Sequence, residues 1–103
     1  MIRHIVALRF KPGTTDATKA ALYSGLAGLS RHIPGILDFR TFPNVSVELP
    51  LVRGFNDVFW FDFQDATVRD AYLVDPVHQD LGRRIVAELE GGADGVFVFD
   101  VSL

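Results

Sequence analysis

IRHIVALRF, residues 2–10, is the stretch that decides the fold. Side chains alternate between the two faces of a β-strand, so this stretch divides into two sets. One face carries Ile2, His4, Val6, Leu8 and Phe10, and the other carries Ile5 and Ala7 between Arg3 and Arg9. Both faces are apolar, whereas an antiparallel sheet with one face in water alternates apolar with polar residues. We therefore predict a sheet with helices on one face and a second protein chain on the other.

The stretch DVFWFDF, residues 57–63, repeats this pattern. Phe59, Phe61 and Phe63 share one face, while Val58 and Trp60 lie on the other. We expect the heavier faces, rich in Phe and Leu, to meet the helices. The lighter face is expected to hold four charged residues that pair within or across a dimer, namely Arg3, Arg9, Asp62 and Asp100.

Two amphipathic helical segments separate the predicted strands. After the turn at 11–13, three residues suited to cap a helix precede an apolar stripe that ends at Pro34-Gly35. The caps are Thr14, Thr15 and Asp16, and the stripe is Leu22, Leu26, Leu29 and Ile33. The second segment is capped by Asp65 and interrupted at Asp75-Pro76, where a helix can restart with proline in its first turn. It then continues through a second stripe, Leu81, Ile85, Val86 and Leu89.

The remaining strands are predicted at Ile36 to Phe42, Phe55 to Phe63 and Gly95 to Leu103, with a long loop from Pro43 to Gly54. In the last strand Phe97, Phe99 and Val101 face one way, and Val96 and Val98 the other. The order βαββαβ predicts an α+β, ferredoxin-like fold: a four-stranded antiparallel sheet with both helices on one face. Two such sheets packed face to face would form a dimeric α+β barrel.

Length and composition narrow the function classes. The 103 residues fit a single domain, 1–103. A net charge of −3 without a basic cluster disfavours nucleic acid or a membrane as partner, and no apolar run is long enough to span a bilayer. Cysteine chemistry is excluded because the chain has no cysteine, and no signal peptide precedes the first strand, so a cytoplasmic location is expected. No phosphate loop, nucleophile elbow or dinucleotide fingerprint occurs.

Several short motifs, in this order and spacing, resemble the stress-responsive alpha/beta barrel domain (Dabb) family. They are IRHIVALRFK with PG at 2–13, IPGI at 33–36, PNVS at 43–46, RGFND at 53–57 and AYLVDPVH at 71–78. The resemblance covers nearly the whole chain and implies a dimer of ferredoxin-like subunits. It leaves the biochemical role open, because most members of this family have no assigned role.

One member type is a plant polyketide cyclase that uses no metal or organic cofactor. The resemblance to it implies a cavity between helices and sheet in which Tyr72 and His78 carry the acid and base steps of an aldol closure. His4 matches a cavity histidine of the first strand. Two positions depart from that enzyme, since Asp75 and Asp57 each stand where it has a histidine.

His78 and Tyr72 are the candidate catalytic residues. A histidine titrates near neutral pH, and its place just after a proline-marked helix break allows the side chain to point into a cleft. His78 would remove a proton next to a carbonyl, and the Tyr72 hydroxyl would hydrogen-bond the developing oxyanion. The structural alternative is that His78 serves only the helix start and Tyr72 only the core.

We predict a ligand-binding cleft lined by His4, Asp57, Phe59, Phe61, Leu22 and Leu26. A carboxylate among apolar groups needs a partner, and His4 is the predicted partner of Asp57. These two residues with His78 would also form a metal ligand set, but their spacing does not support one, and no metal or cofactor is predicted. His32, beside Arg31 at the end of the first helix, is expected only to cap it.

Three hypotheses remain from the sequence. The first is a homodimer, joined through its sheet face, that binds a small, mostly apolar molecule in the cleft between helices and sheet. The second is a cofactor-independent, cyclase-like enzyme that uses the Tyr72 and His78 pair. The third is a structural or protein-interaction scaffold whose helix-sheet space is filled by side chains.

Overall fold

The structure, a computed structural model that describes all 103 residues, contains a four-stranded sheet. Its strands are β1 (Ile2–Leu8), β2 (Ile36–Pro43), β3 (Asp57–Phe63) and β4 (Val96–Ser102). The helices are α1 (Asp16–Gly28), α2 (Leu49–Val52), α3 (Ala66–Val74) and α4 (Pro76–Ala87), with 3₁₀ turns at Leu29–Arg31 and Gly92–Gly95. None of the helices has the length and apolar character needed to cross a bilayer.

The strands lie in the order β2-β3-β1-β4, and every neighbouring pair is antiparallel. The register sets Val6 opposite Phe59 on one side and Val98 on the other. This is the predicted βαββαβ fold, and its helices on one face of the sheet are confirmed. The predicted long loop differs in detail, because it contains the single helical turn α2.

The helices cover the sheet through a core of twelve buried side chains, mainly Phe, Leu and Ile. The Thr15 side chain caps α1 by accepting a hydrogen bond from the Thr18 backbone N–H at 3.1 Å. Gly25 in α1 lets α4 approach closely, since a Cβ there would lie only 2.6 Å from a methyl carbon of Leu81. The two apolar stripes therefore meet each other as well as the sheet.

The boundaries of some strands differ from the sequence prediction. β1 stops at Leu8 rather than Phe10, and Phe10 instead forms an isolated bridge with Leu89. The interruption at Asp75-Pro76 is found as predicted, since α3 ends at Val74 and α4 begins at Pro76. Proline has no N–H to donate to the preceding turn, so the chain turns there.

The two faces of β4 are reversed relative to the prediction, which places its Phe side chains toward the helices. Val98 pairs with Val6 and lies on the helix side, whereas Phe97 and Phe99 pair with Ala7 and Ile5 on the open side. Phe97 and Phe99 are 56% and 44% exposed. The rule that heavier faces meet the helices fails in β4 because this strand lies at the sheet edge, where its aromatic side chains are left on the uncovered face.

Asp100 is therefore also on the helix side, not on the lighter face as predicted, because it is paired with His4. The charged pair predicted on the lighter face is found within the chain: Arg3 Nε donates to Asp62 at 2.8 Å. The uncovered face carries a second ion pair on β2, in which Arg40 Nε donates to Asp38 at 2.8 Å, and its other residues are apolar. We define the open sheet face as the exposed or half-exposed residues Ile5, Ala7, Phe42, Val58, Trp60, Phe97 and Phe99.

Candidate functional site

A cavity of about 210 Å³ lies between β1, β3 and β4 and the helices α1, α3 and α4. Its lining is apolar except for His4, His78 and Tyr72. Leu73 and Val98, which are 43% and 48% exposed, mark the side on which the cavity meets solvent. The space between helices and sheet is thus not completely filled by side chains.

The helix break at Asp75 brings Tyr72 and His78 together. Tyr72 lies in the last turn of α3 and His78 in the first turn of α4, and their ring centroids are 3.8 Å apart with an interplanar angle of 30°. A continuous helix would place residues six apart on different faces. The break therefore brings the two tilted rings into contact on the cavity wall.

His78 is set up as a neutral imidazole. Burial lowers its pKa from the ordinary 6.5, and the charge of nearby His4 lowers it further, while the backbone carbonyl of Tyr72 and the carboxylate of Asp75 act in the opposite direction. Its Nδ1 is buried without a hydrogen-bond partner. A neutral imidazole in an apolar cavity can accept a proton at neutral pH.

Tyr72 is set up as a hydrogen-bond donor. Its side chain is 1% exposed, and burial, followed by the negative charge of Asp100, raises the pKa of its phenol. None of the chain's side-chain hydrogen bonds uses this hydroxyl. A protonated phenol without a partner can donate to an oxygen of a bound molecule.

His4 is held by a short chain of charged groups that sequence reasoning missed. Asp100, opposite His4 in the sheet, lies 2.7 Å from His4 Nδ1, and Arg69 Nη1 donates to the other carboxylate oxygen of Asp100 at 2.9 Å. Burial opposes ionisation of Asp100, but the hydrogen bonds from Arg69 and His4 outweigh it, and its pKa lies below the ordinary value. Because an ionised carboxylate only accepts, His4 Nδ1 donates, and Nε2 is left for other partners.

The cavity collects five of the predicted site residues: His4, Leu26, Phe59, Tyr72 and His78. Asp57 lies elsewhere, because Lys19 Nζ donates to it at 3.1 Å and it is opposite Leu8 in the sheet. The predicted pairing of His4 with Asp57 is therefore wrong, and the alternative metal ligand set is not assembled. No other group of three acidic or histidine side chains comes together in the chain.

Two further predicted lining residues are outside the cavity. Phe61 is completely buried in the core, and Leu22 lies in a separate shallow hollow between α1 and α4. The lining residues that were not predicted to line it come from β1, from the end of α3, from α4 and from β4: Val6, Leu8, Leu73, Gly82, Ile85, Val86, Val96 and Val98. The contribution of β4 follows from its register with β1, which places Asp100 opposite His4 and has no local signal in the sequence.

Comparison with known proteins identifies the family to which this architecture belongs. A family model described as the stress responsive A/B barrel domain matches residues 2–103. The chain belongs to the Dabb family. No curated protein matches the sequence of this Dabb chain.

Solved structures share the fold across nearly the whole chain. A dimeric ferredoxin-like protein of unknown function from Jannaschia is 31% identical, with a TM-score of 0.87, and the match covers 99% of this chain and 98% of that one. A Dabb family protein from Mesorhizobium loti is 20% identical, with a TM-score of 0.77 and coverage of 99% and 95%. A hydroxynitrile lyase from Passiflora edulis is 14% identical, with a TM-score of 0.81 and coverage of 99% and 92%. The last two likenesses show the fold alone.

Proposed function

We propose that this Dabb protein is a homodimer whose subunits each bind a small, mostly apolar molecule with one polar group in the cavity. The observation that carries this proposal is the composition of the cavity wall. Its surface is apolar except where Tyr72 lies against His78 and, at a centroid distance of 5.5 Å, against His4. An apolar wall with a few convergent polar groups is typical of small-molecule sites.

The cavity volume indicates the size of the ligand. A dry apolar cavity of about 150 Å³ is enough to bind benzene. The volume of about 210 Å³ therefore fits one substituted ring or a short branched chain. The polar group of such a molecule, a carbonyl, carboxylate or hydroxyl, would lie beside Tyr72, His4 and His78, because the rest of the wall is apolar and offers it no hydrogen bond.

The homodimer is supported by the open sheet face. Four of its aromatic residues are uncovered or only partly covered: Phe42, Trp60, Phe97 and Phe99. A contiguous apolar patch of this kind is typical of a protein interface. The similar Jannaschia protein is dimeric, and we infer the same assembly here, through packing of the two open sheet faces. A cytoplasmic location stays a prediction.

A second candidate function is proton transfer on a carbonyl compound, as in the cyclases that the sequence resembles. The observation that favours it is the pairing of a neutral histidine with a protonated phenol on one cavity wall. His78 would take a proton from the carbon next to the carbonyl, and Tyr72 would donate a hydrogen bond to the enolate oxygen. Asp57 plays no part in this scheme.

The binding proposal is tested by filling the cavity. Gly82 in α4 lines it, and a Cβ at this position meets no atom within 4 Å, so Gly82→Leu places a side chain in open space. Gly28→Leu is the matched control, since Gly28 is equally unobstructed but lies outside the cavity. Monocyclic aromatic aldehydes, ketones and acids are titrated against the ¹⁵N-labelled protein by NMR.

We expect at least one of these compounds to shift the signals of cavity residues, and Gly82→Leu to weaken its binding about tenfold or more, the loss of roughly 1.4 kcal/mol. Gly28→Leu should bind as the unaltered protein does. Equal binding by Gly82→Leu, or no binding by any compound in the set, contradicts the proposal.

The proton-transfer candidate has its own assay. A bound ketone is incubated in D₂O, and incorporation of deuterium at the carbon next to its carbonyl is followed by NMR. Catalysed exchange that is lost in His78→Ala and reduced in Tyr72→Phe supports the enzyme. Exchange at the uncatalysed rate with a ketone that binds leaves a binding protein without this activity.

A further inference from the structure

One carboxylate joins the helix break to the residue that follows the α1 segment. Asp75 Oδ1 accepts hydrogen bonds from the backbone N–H groups of Val77, at 2.9 Å, and His78, at 3.0 Å. Asp75 Oδ2 lies 2.6 Å from Nε2 of His32. Both carboxylate oxygens are thus hydrogen-bonded, Oδ1 to the first turn of α4 and Oδ2 to the side chain of His32.

His32 approaches this carboxylate from solvent. It follows the 3₁₀ turn that ends the α1 segment, and its side chain is 52% exposed, whereas that of Asp75 is 12% exposed. Because an ionised carboxylate only accepts, Nε2 of His32 is the donor. The expectation that His32 merely caps its own helix is therefore incomplete, since it holds a residue 43 positions away.

Asp75 determines the position of His78 at the start of α4. Pro76, Val77 and His78 form the first turn of α4, and the Asp75 carboxylate caps that turn. Asp75 also closes α3, because its backbone N–H donates to the Tyr72 carbonyl at 3.2 Å. One residue therefore connects the helix that carries Tyr72 with the helix that carries His78.

We propose that Asp75 and His32 are positioning residues for His78: the carboxylate, held from outside by the imidazole of His32, fixes the first turn of α4 and the charge that His78 experiences. The inference rests on the proposed function in that it gives His78 the task of meeting the bound molecule. It extends the site to His32, a surface residue that does not line the cavity.

The proposal predicts opposite effects of two substitutions on His78. Three groups face the His78 ring: His4 from β1, Tyr72 from α3 and Asp75 from the break. Asp75→Asn keeps a capping oxygen but removes the negative charge, so the imidazolium form of His78 becomes less stable. His32→Ala leaves that charge without its hydrogen-bond donor, so the imidazolium form becomes more stable.

The experiment is an NMR titration of the histidine imidazoles in the intact protein without ligand. The chain contains only three histidines, so His78→Asn assigns the His78 signal directly. We expect His32→Ala to increase the proton-binding constant of His78 about twofold and Asp75→Asn to decrease it about twofold, a size that fits one partly screened charge. Arg31→Ala, which removes a neighbouring exposed charge, is the control and should leave His78 unchanged.

The double variant provides the decisive comparison. In the Asp75→Asn background the charge that His32 modulates is absent, so adding His32→Ala should not change the titration of His78 further. Shifts of the same sign in both single variants, as loosening of the helix start alone would give, overturn the proposal, and so does the absence of a shift. Since no ligand is involved, failure of the binding proposal leaves this test intact.

Discussion

Two substitutions of Tyr72 distinguish the packing of its ring in the cavity wall from the chemical role of its hydroxyl. The ring is 1% exposed and its centroid lies 4.9 Å from that of Phe61, 5.0 Å from Phe63 and 3.8 Å from His78. Removing a buried aromatic ring costs about 3–5 kcal/mol. We expect Tyr72→Ala to cost about 3 kcal/mol, at the low end, because the ring already borders the cavity. Tyr72→Phe keeps every ring contact and removes a hydroxyl without a partner in the chain, so it should change stability by less than about 1 kcal/mol.

The assay is urea unfolding at one fixed protein concentration, because dimerisation makes apparent stability depend on concentration. The two variants are compared with the unaltered protein by circular dichroism, and ligand binding is measured on Tyr72→Phe in parallel. Weaker binding at unchanged stability identifies the hydroxyl as a ligand contact. If Tyr72→Phe loses about 2 kcal/mol or more, the hydroxyl has a structural partner and the reasoning about the free donor is refuted.

Three further predictions address the dimer, the pH dependence and the fold. Phe99→Arg places a charge on the open sheet face and should convert the dimer to monomers in sedimentation experiments; a dimer of unchanged affinity would contradict the proposed interface. His78 binds a proton in the unfolded chain near its ordinary pKa of 6.5 but only at lower pH when folded, so stability contributed by His78 is lost as the pH falls below 6.5. The unaltered protein should therefore lose more stability than His78→Asn between about pH 7 and pH 5 in urea unfolding, and parallel curves would argue against the lowered pKa. Gly35→Ala, at φ +95° with its Cβ 2.4 Å from a Val68 methyl, should cost about 1–3 kcal/mol; an unchanged urea midpoint would show that the turn can adjust.

Much of the fold was predictable because its signals are local. The alternation in residues 2–10 and 57–63 defines the two central strands, and Asp65 caps α3 as predicted, accepting from the Val68 backbone N–H at 3.0 Å. The break at Asp75 follows from the proline after it. These signals depend on neighbours in sequence, so a single chain reveals them.

The site was only partly predictable because its partners are distant in sequence. Asp57 and Asp100 are both acidic strand residues on the helix side, and either was available to His4. Only the register of β1 with its two neighbours decides, placing Asp57 opposite Leu8 and Asp100 opposite His4. The sequence contains no local mark of that register at β4, where the apolar residues are nearly continuous.

The edge position of β4 also explains why the larger side chains of this strand face outward. An edge strand has a sheet neighbour on one side only, so its helix face is covered less completely than that of β1 or β3. In this chain the helix face of β4 holds Val96, Val98 and Asp100, which are small or polar, and leaves the cavity open beside His4. Exchanging Val98 for a larger apolar residue should therefore close the same space from the sheet side that Gly82→Leu closes from α4. The outward Phe97 and Phe99 supply apolar surface for the proposed dimer interface, so in this proposal one strand serves the cavity with one face and the subunit interface with the other.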